Sequence, residues 1–327
     1  MNKHVLAFHY AWYGTPWGPS GAWMAWNHVM TLNGQRAGLH DPERIFHAGE
    51  RDIGSMLYPM DGPYDSRDVS TVRRQLAEAA EAGIDGFMLS WWGPDSQSDK
   101  TLDAFFRECP KDFISVNFET PYARAIGGES PERRLAVMTE GMTYLLTKYG
   151  ESDRWLRIDG KPLMALWRSE HYTAENWHQI KVALNARGFD VFWLGQHYDT
   201  SYVPTLDALC TYEPFLFTMQ GGDLARLYRE TRDAVREKGG IFAATANPGF
   251  DNRALHKPGL YLARENGGYY RTTWQACLNA EPDFVVINSY NEWGESSVIE
   301  STRQFGKDYL ELTREFGERF KKKGEGR

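Results

Sequence analysis

Eight short apolar runs, each containing β-branched or aromatic residues, recur along the 327 residues of this chain and constrain its fold more than any other feature. They span residues 4–10, 84–92, 113–119, 162–167, 190–197, 208–212, 240–246 and 283–290. The stretches between them show helical spacing, and strands that alternate with helices are typical of parallel βα units. The alternation therefore predicts a barrel or an open parallel sheet.

The intervening stretches also carry helix start signals. Ser130 is a predicted N-cap with Pro131 in the first turn, and Thr173 is a second predicted N-cap. Apolar stripes follow at helical spacing, at Leu135, Met138, Met142 and Leu145, at Trp177, Ile180 and Leu184, and at Phe305, Tyr309, Leu312, Phe316 and Phe320. These stripes predict helices packed against a core.

Eight βα units in this length predict a single (β/α)8 TIM barrel over residues 1–327. An open doubly wound sheet is the alternative, but it would normally carry a glycine-rich phosphate turn. The sequence has neither GxGxxG nor GxxxxGK[ST]. Residues 12–67 are too many for an ordinary connection, and their aromatic residues predict an ordered insertion after strand 1.

Composition excludes several classes of protein. The 37 basic and 44 acidic residues give a net charge of −7, the wrong sign for a general binder of nucleic acid or anionic membranes. No apolar run is long enough to span a membrane. Residues 1–12 lack the features of a signal peptide, so we expect a cytoplasmic protein. The three cysteines, Cys109, Cys210 and Cys277, are too few and too far apart to predict disulfides, and we expect buried thiols.

Polar and aromatic residues follow the predicted strands, and in a barrel these ends meet at one mouth. They include His9, Tyr10, Tyr13, Trp91, Trp92, Glu119, His171, Tyr212, Asp251, Asn291, Glu292, Trp293 and Glu295. Flat rings cover the C–H faces of a sugar while carboxylates and amides bind its hydroxyls. The residue types therefore favour a carbohydrate, an oligosaccharide or polysaccharide, as the partner.

Glu292 and Glu295 lie three residues apart after the last strand and could flank a glycosidic bond as acid and base. The alternative is that they cap or charge-complement the following helix. No HExxH motif is present, and a metal site would need distant histidines such as His9, His171 and His197. No metal or other cofactor is predicted, and the oligomeric state is left open.

Ordered motifs over most of the chain resemble glycoside hydrolase family 99, which contains endo-α-mannosidases and endo-α-mannanases. They read AFHYAWYG, GAWMAWNH, YPMDGPYDSRD, AGIDGFMLSWWG, FETPY, PGFDNR, ENGGYY and NSYNEWGESSVIES. Where the family typically reads NEWHEGT, this chain has Gly294, Ser296 and Ser297.

The resemblance implies a (β/α)8 barrel that cleaves α-mannosidic or closely related linkages with retention, without a metal, through a 1,2-anhydro sugar. Glu292 would be the base toward O2 and Glu295 the acid toward the leaving oxygen. The expected substrate-binding residues are Glu119, His9, Tyr10, Tyr13, Tyr58, Trp91, Trp92, His171, Tyr212, Asp251, Asn291 and Trp293. A non-catalytic glycan-binding barrel, or an accessory protein of polysaccharide assembly, is the alternative, and a metal-dependent barrel enzyme comes third.

Overall fold

Eight parallel strands form a closed barrel in the computed structural model, which describes residues 3–325. They are β1 (His4–His9), β2 (Gly86–Trp91), β3 (Ile114–Glu119), β4 (Lys161–Trp167), β5 (Phe192–Gln196), β6 (Ala208–Cys210), β7 (Ile241–Ala246) and β8 (Phe284–Ile287). Each strand pairs with the next along the chain, and β1 pairs with β8 to close the barrel. Seven of them lie within their predicted runs, β4 begins one residue before its run, and the predicted TIM barrel is confirmed. The prediction that residues 1–12 are not a signal peptide falls partly outside the described residues, since the first two residues of the chain are not described.

Side chains alternate between the barrel interior and the layer beneath the helices. In β1, Leu6 and Phe8 belong to the interior cluster, whereas Val5 and Ala7 belong to the cluster that packs against the helices. This alternation follows from the two-residue period of a strand. It decides which residues at a strand end reach the mouth.

The helices surround the barrel. They are α1 (Val69–Glu81), α2 (Gln97–Glu108), α3 (Pro121–Gly127), α4 (Pro131–Tyr149), α5 (Ala174–Asn185), α6 (Pro214–Met219), α7 (Leu224–Glu237), α8 (Gly268–Ala280) and α9 (Asp308–Glu325). Both predicted caps are confirmed, because Ser130 Oγ accepts the N–H of Arg133 and Thr173 forms a capping box with Asn176. Within residues 3–325, no helix combines the length and apolarity needed to cross a membrane.

The predicted insertion after β1 is ordered. It contains an antiparallel hairpin of Val29–Leu32 and Gln35–Leu39, to which His256–Lys257 from the loop after β7 adds a parallel strand. Trp26 is buried in the insertion and donates from Nε1 to the carbonyl of Tyr64 at 2.8 Å. The ring of Trp26 lies 6.1 Å from that of Trp293, which follows β8, so the insertion packs against the C-terminal side of the barrel.

Three smaller features complete the fold. Arg157–Ile158 pairs antiparallel with the start of β4, and Phe250–Asp251 pairs with Tyr261–Leu262 in the loop after β7. The three cysteines are buried free thiols, as predicted.

Candidate active site

The loop after β8 carries both predicted catalytic glutamates, Glu292 as the cap and Glu295 as the last residue of a 3-10 turn, Trp293–Glu295. The backbone N–H of Glu292 donates to Ser289 Oγ at 2.7 Å, and the Glu292 Oε1 accepts the N–H of Gly294 at 3.1 Å. Glu292 therefore caps the turn that contains Glu295. The capping alternative holds for this short turn, and it also fixes one carboxylate beside the other.

Glu292 is only 7% exposed. Burial raises the pKa of this carboxyl well above its ordinary value, and the charges of Glu295 and Glu119 raise it further. The Gly294 N–H opposes the rise because it stabilises the ionised form. The carboxyls thus repel one another when ionised.

Glu295 is half-buried at the cleft surface. Burial raises the pKa of its carboxyl to about 8, and the charge of Glu213 contributes. The Tyr212 hydroxyl, at 3.4 Å from Glu295 Oε2, and the Arg168 guanidinium act in the opposite direction. A carboxyl of this kind keeps its proton near neutral pH and can donate it.

Glu119 ends β3 and contributes a third buried carboxyl to the mouth. Its Oε1 accepts from Ser90 Oγ at 2.5 Å and from Asn117 Nδ2 at 3.2 Å. Burial raises the pKa of Glu119 to about 8, and the charge of Glu295 adds to the effect. The C-terminal ends of β2, β3 and β8 therefore converge as the barrel predicted.

Two tyrosines link the glutamates to the opposite side of the mouth. Tyr10 follows β1 and Tyr212 follows β6, and their hydroxyls are hydrogen-bonded to each other. The pKa of each phenol is raised by burial and by the charges of Glu292 and Glu295. The two hydroxyls are therefore neutral at physiological pH.

Two tryptophans form an aromatic rim near Tyr10. The ring of Trp12 lies 4.7 Å from that of Tyr10 and 6.4 Å from that of Trp92. Trp92 is 37% exposed, so a ligand can reach its ring. Such a rim suits the C–H face of a sugar.

A cavity of about 360 Å³ continues from Tyr212 across the ends of β4, β5 and β6. Its walls include Trp167, Arg168, Glu170, Gln196, Tyr212 and Glu213. The Arg168 guanidinium lies 5.0 Å from the centre of the Trp167 ring. Gln196 Oε1 is buried without a hydrogen-bond partner among the described residues. The cleft beside Glu295 thus offers an aromatic face, a cation, carboxylates and a spare amide acceptor.

Comparison with known proteins identifies the family. The family model described as glycosyl hydrolase family 99 matches residues 1–315, nearly the whole chain. The chain belongs to glycosyl hydrolase family 99. It is therefore a glycosidase similar to endo-α-mannosidases, and its substrate is a glycan. The alternative prediction, a non-catalytic glycan-binding barrel, is not supported.

Relatives and solved structures agree with this family 99 assignment. The chain is 27% identical to the glycoprotein endo-alpha-1,2-mannosidase-like protein of Mus musculus, over 99% of this chain and 78% of the relative. It is 24% identical to the glycoprotein endo-alpha-1,2-mannosidase of Rattus norvegicus, over 98% and 76%. Its fold matches the family 99 endo-alpha-mannosidase of Bacteroides thetaiotaomicron with a TM-score of 0.80 and 21% identity, over 98% of both chains.

Two of the predicted substrate-binding residues of this family 99 enzyme lie in the helix-facing layer, and we correct their assignment. His9 is fully buried, packs against Phe87 and Phe105, and bonds through Nε2 to Gln75 of α1. Trp91 is also fully buried, with its Nε1 donating to Asp99 of α2. Both follow from strand alternation, since their neighbours Tyr10 and Ser90 take the interior positions.

Three further residues that were predicted to bind substrate, Tyr13, Asn291 and Trp293, instead form hydrogen bonds within the protein that support the catalytic turn. Tyr13 Oη donates to the carbonyl of Asn291 and accepts the backbone N–H of Trp293. Asn291 and Trp293 have exposed fractions of 0% and 1%, and both donate to the hydroxyl of Tyr64. Their polar groups bind protein partners, so we reassign them from sugar contact to support.

Of the other three predicted residues, Tyr58 and His171 lie away from the carboxylates, whereas Asp251 lies on a short strand that packs beside the catalytic turn. Tyr58 is buried in the insertion, where its hydroxyl accepts the N–H of Arg51. Asp251 is paired with Arg253 at 2.7 Å. His171 is exposed in the turn after β4. The contacts of residues 3–325 bring neither Tyr58 nor His171 beside Glu292 or Glu295, whereas Asp251 shares a cavity with Ser296, the residue that follows Glu295.

Four residues of the site were absent from the predicted set. Arg168 directly follows β4 and Trp12 lies three residues after β1, so their position near a strand end is the signal that could have found them. Tyr64 and Glu300 lie in the motifs YPMDGPYDSRD and NSYNEWGESSVIES but follow no strand directly. Within the described part of the chain, no group of three or more His, Cys, Asp and Glu side chains is arranged to hold a metal ion.

Proposed function

We propose that this glycosidase hydrolyses α-mannosidic linkages of an oligosaccharide or polysaccharide with retention of configuration, using Glu292 as base and Glu295 as acid. One observation carries the proposal: Glu292 caps the short turn at the mouth of the barrel that ends in Glu295, and the charge of Glu295 raises the pKa of the buried Glu292 carboxyl. The similarity to a mammalian glycoprotein endo-alpha-1,2-mannosidase and to an endo-alpha-1,2-mannosidase-like protein supports mannose as the sugar.

The ionisation of the pair suits acid and base chemistry. Because two neighbouring buried carboxylates repel each other, the pair loses its protons in two separate steps. Between these steps the pair holds one proton, which is the form that has both an acid and a base. The Gly294 N–H at 3.1 Å favours the ionised form of Glu292, whereas burial and the charges of Glu295 and Glu119 favour its protonated form. The proposed roles require that this single proton resides on Glu295 when the substrate is bound.

The first step exchanges one bond for another at the anomeric carbon. Glu292 takes the proton of the 2-hydroxyl, O2 bonds to C1, the bond from C1 to the leaving oxygen breaks, and Glu295 protonates that oxygen. In an α-mannoside the 2-hydroxyl and the leaving group lie on opposite faces, so O2 can displace from behind. The product is a 1,2-anhydro sugar, and Glu292 is now protonated and Glu295 ionised.

The second step reverses the roles. Glu295 takes a proton from water, the water oxygen bonds to C1, the C1–O2 bond breaks, and Glu292 returns its proton to O2. Two inversions at C1 give net retention. Glu119, Tyr10 and Tyr212 surround the reacting sugar in this scheme, and Trp12, Trp92 and the cavity beside Arg168 hold neighbouring sugar units.

Paired substitutions test the roles of the two glutamates. Glu292→Gln and Glu295→Gln should each lower kcat on an α-1,2-mannoside by about 10²- to 10⁴-fold, since each removes a proton-transfer group. The exposed Glu175→Gln is the matched control and should keep full activity. Full activity in both folded site variants would contradict the assignment.

A substrate with a fluoride leaving group distinguishes the acid from the base. Fluoride departs without protonation, so Glu295→Gln should release fluoride from an α-mannosyl fluoride in the first turnover at close to the parent rate, whereas Glu292→Gln should stay impaired. The reverse pattern would exchange the two roles.

A further inference from the structure

Behind the catalytic turn, Glu300 is a buried carboxylate that binds four donors. Its Oε1 accepts from Arg74 Nη2 at 2.8 Å and from Gln75 Nε2 at 2.9 Å, both on α1. Its Oε2 accepts from Tyr64 Oη at 2.7 Å and from Trp293 Nε1 at 3.2 Å. The side chain is 1% exposed, so both of its oxygens are satisfied within the protein.

The Tyr64 hydroxyl joins this carboxylate to both neighbours of Glu292. It accepts from Asn291 Nδ2 at 3.1 Å and from Trp293 Nε1 at 3.0 Å while it donates to Glu300. Asn291 and Trp293 directly precede and follow Glu292 in the chain. One hydroxyl therefore anchors the side chains of both residues that flank the proposed base.

The same connection extends to the other half of the mouth. Asn291 Oδ1 accepts the backbone N–H of Tyr10 at 2.6 Å, and its Nδ2 donates to the Tyr10 carbonyl at 3.0 Å. Tyr10 in turn bonds through its hydroxyl to Tyr212, which contacts Glu295. The position of β1 relative to the catalytic turn thus depends on an amide that Tyr64 orients.

Tyr64 and Glu300 lie outside the cleft where the glutamates face Tyr212. They line a separate cavity of about 320 Å³ between the insertion and the start of α1, together with Asp65, Asp68 and Arg74. Their effect on a sugar in the cleft must therefore pass through Asn291 and Trp293.

We propose that Tyr64 and Glu300 are positioning residues that hold the Glu292 carboxylate in its reactive orientation. The inference rests on the proposed role of Glu292. The physical reason is that proton transfer depends steeply on geometry, while substrate binding relies mainly on other side chains. Loss of the Tyr64 hydroxyl should therefore affect the chemical step more than binding.

Tyr64→Phe tests the inference, because it removes the hydroxyl and keeps the ring contacts with Trp26 and Tyr13. We expect kcat on an α-1,2-mannoside to fall by about 10- to 100-fold with little change in KM. Glu300→Gln keeps the side-chain shape and should lower kcat in the same direction, which provides a second reading if one variant folds poorly.

Tyr270→Phe is the matched control. It also deletes a fully buried hydroxyl, one that bonds Thr313 at 2.8 Å between α8 and α9, and it should leave kcat unchanged. Unchanged kcat in folded Tyr64→Phe, or an equal loss in Tyr270→Phe, would overturn the inference. Activity retained in Glu292→Gln would instead reject the proposed function itself, so the two failures are distinguishable.

Discussion

At the scale of single residues, burial and neighbouring charges set the pKa values of three carboxyls in the site and therefore determine which of them are protonated. Burial is the main cause of the raised pKa at Glu292, Glu295 and Glu119. Two nearby charges of opposite sign also change the pKa of Glu295: the Glu213 carboxylate raises it and the Arg168 guanidinium lowers it. The alkaline side of the activity profile should therefore respond to these two residues in opposite directions.

Removing either charge tests this balance. The Glu213 carboxylate favours protonated Glu295, so Glu213→Gln should lower the pKa of the acid and move the alkaline limb of kcat/KM to lower pH. The Arg168 cation favours ionised Glu295, so Arg168→Gln should move the limb to higher pH. We expect shifts of about 0.5 to 1 pH unit in each case, measured as pH profiles of kcat/KM.

The exposed Glu175 again supplies a control, since Glu175→Gln removes a charge that does not shift the pKa of Glu295. Its profile should overlay that of the parent enzyme. Shifts of the same sign in the Glu213 and Arg168 variants would show that another group sets the alkaline limb.

At the scale of the elements, apolar runs and cap residues predicted the strands and two helix starts, because both signals are local. The direction of a single side chain at a strand end was harder to predict. His9 and Tyr10 are adjacent, yet one packs against α1 and the other reaches the mouth. The directions of these two side chains could have been predicted only from the knowledge that Leu6 and Phe8 point into the barrel, because side chains alternate along a strand.

Helix α4 offers a test at this scale. Ser130 Oγ accepts the N–H of Arg133 at 3.2 Å, so Ser130→Ala should lower the free energy of unfolding by about 1 kcal/mol. Urea unfolding measures the change. Ser130→Asp keeps an acceptor at the cap and should retain the stability. A loss as large in Ser130→Asp would show that the cap bond is not the cause.

At the scale of the whole molecule, the insertion and the loop after β7 both brace the turn that carries the glutamates. The N–H of Met56 in the insertion donates to Ser296 Oγ at 3.1 Å. Arg264 donates from Nη2 to the carbonyls of Ser296 and Val298 at 2.6 and 2.7 Å. These contacts join residues far apart in sequence. No local sequence pattern predicts such contacts. The hydrogen bonds of Tyr64 and Glu300 also join distant parts of the chain, which is why these two residues could not be found from the sequence.

The barrel as a whole brings the polar ends of its strands to one mouth, and the central claim is that this mouth cleaves an α-mannoside with retention. Proton NMR of the first sugar released tests the claim most directly, since the anomeric signal records the configuration before mutarotation. The account predicts that the α-anomer appears first and the β-anomer follows by mutarotation. Initial release of the β-anomer would contradict it.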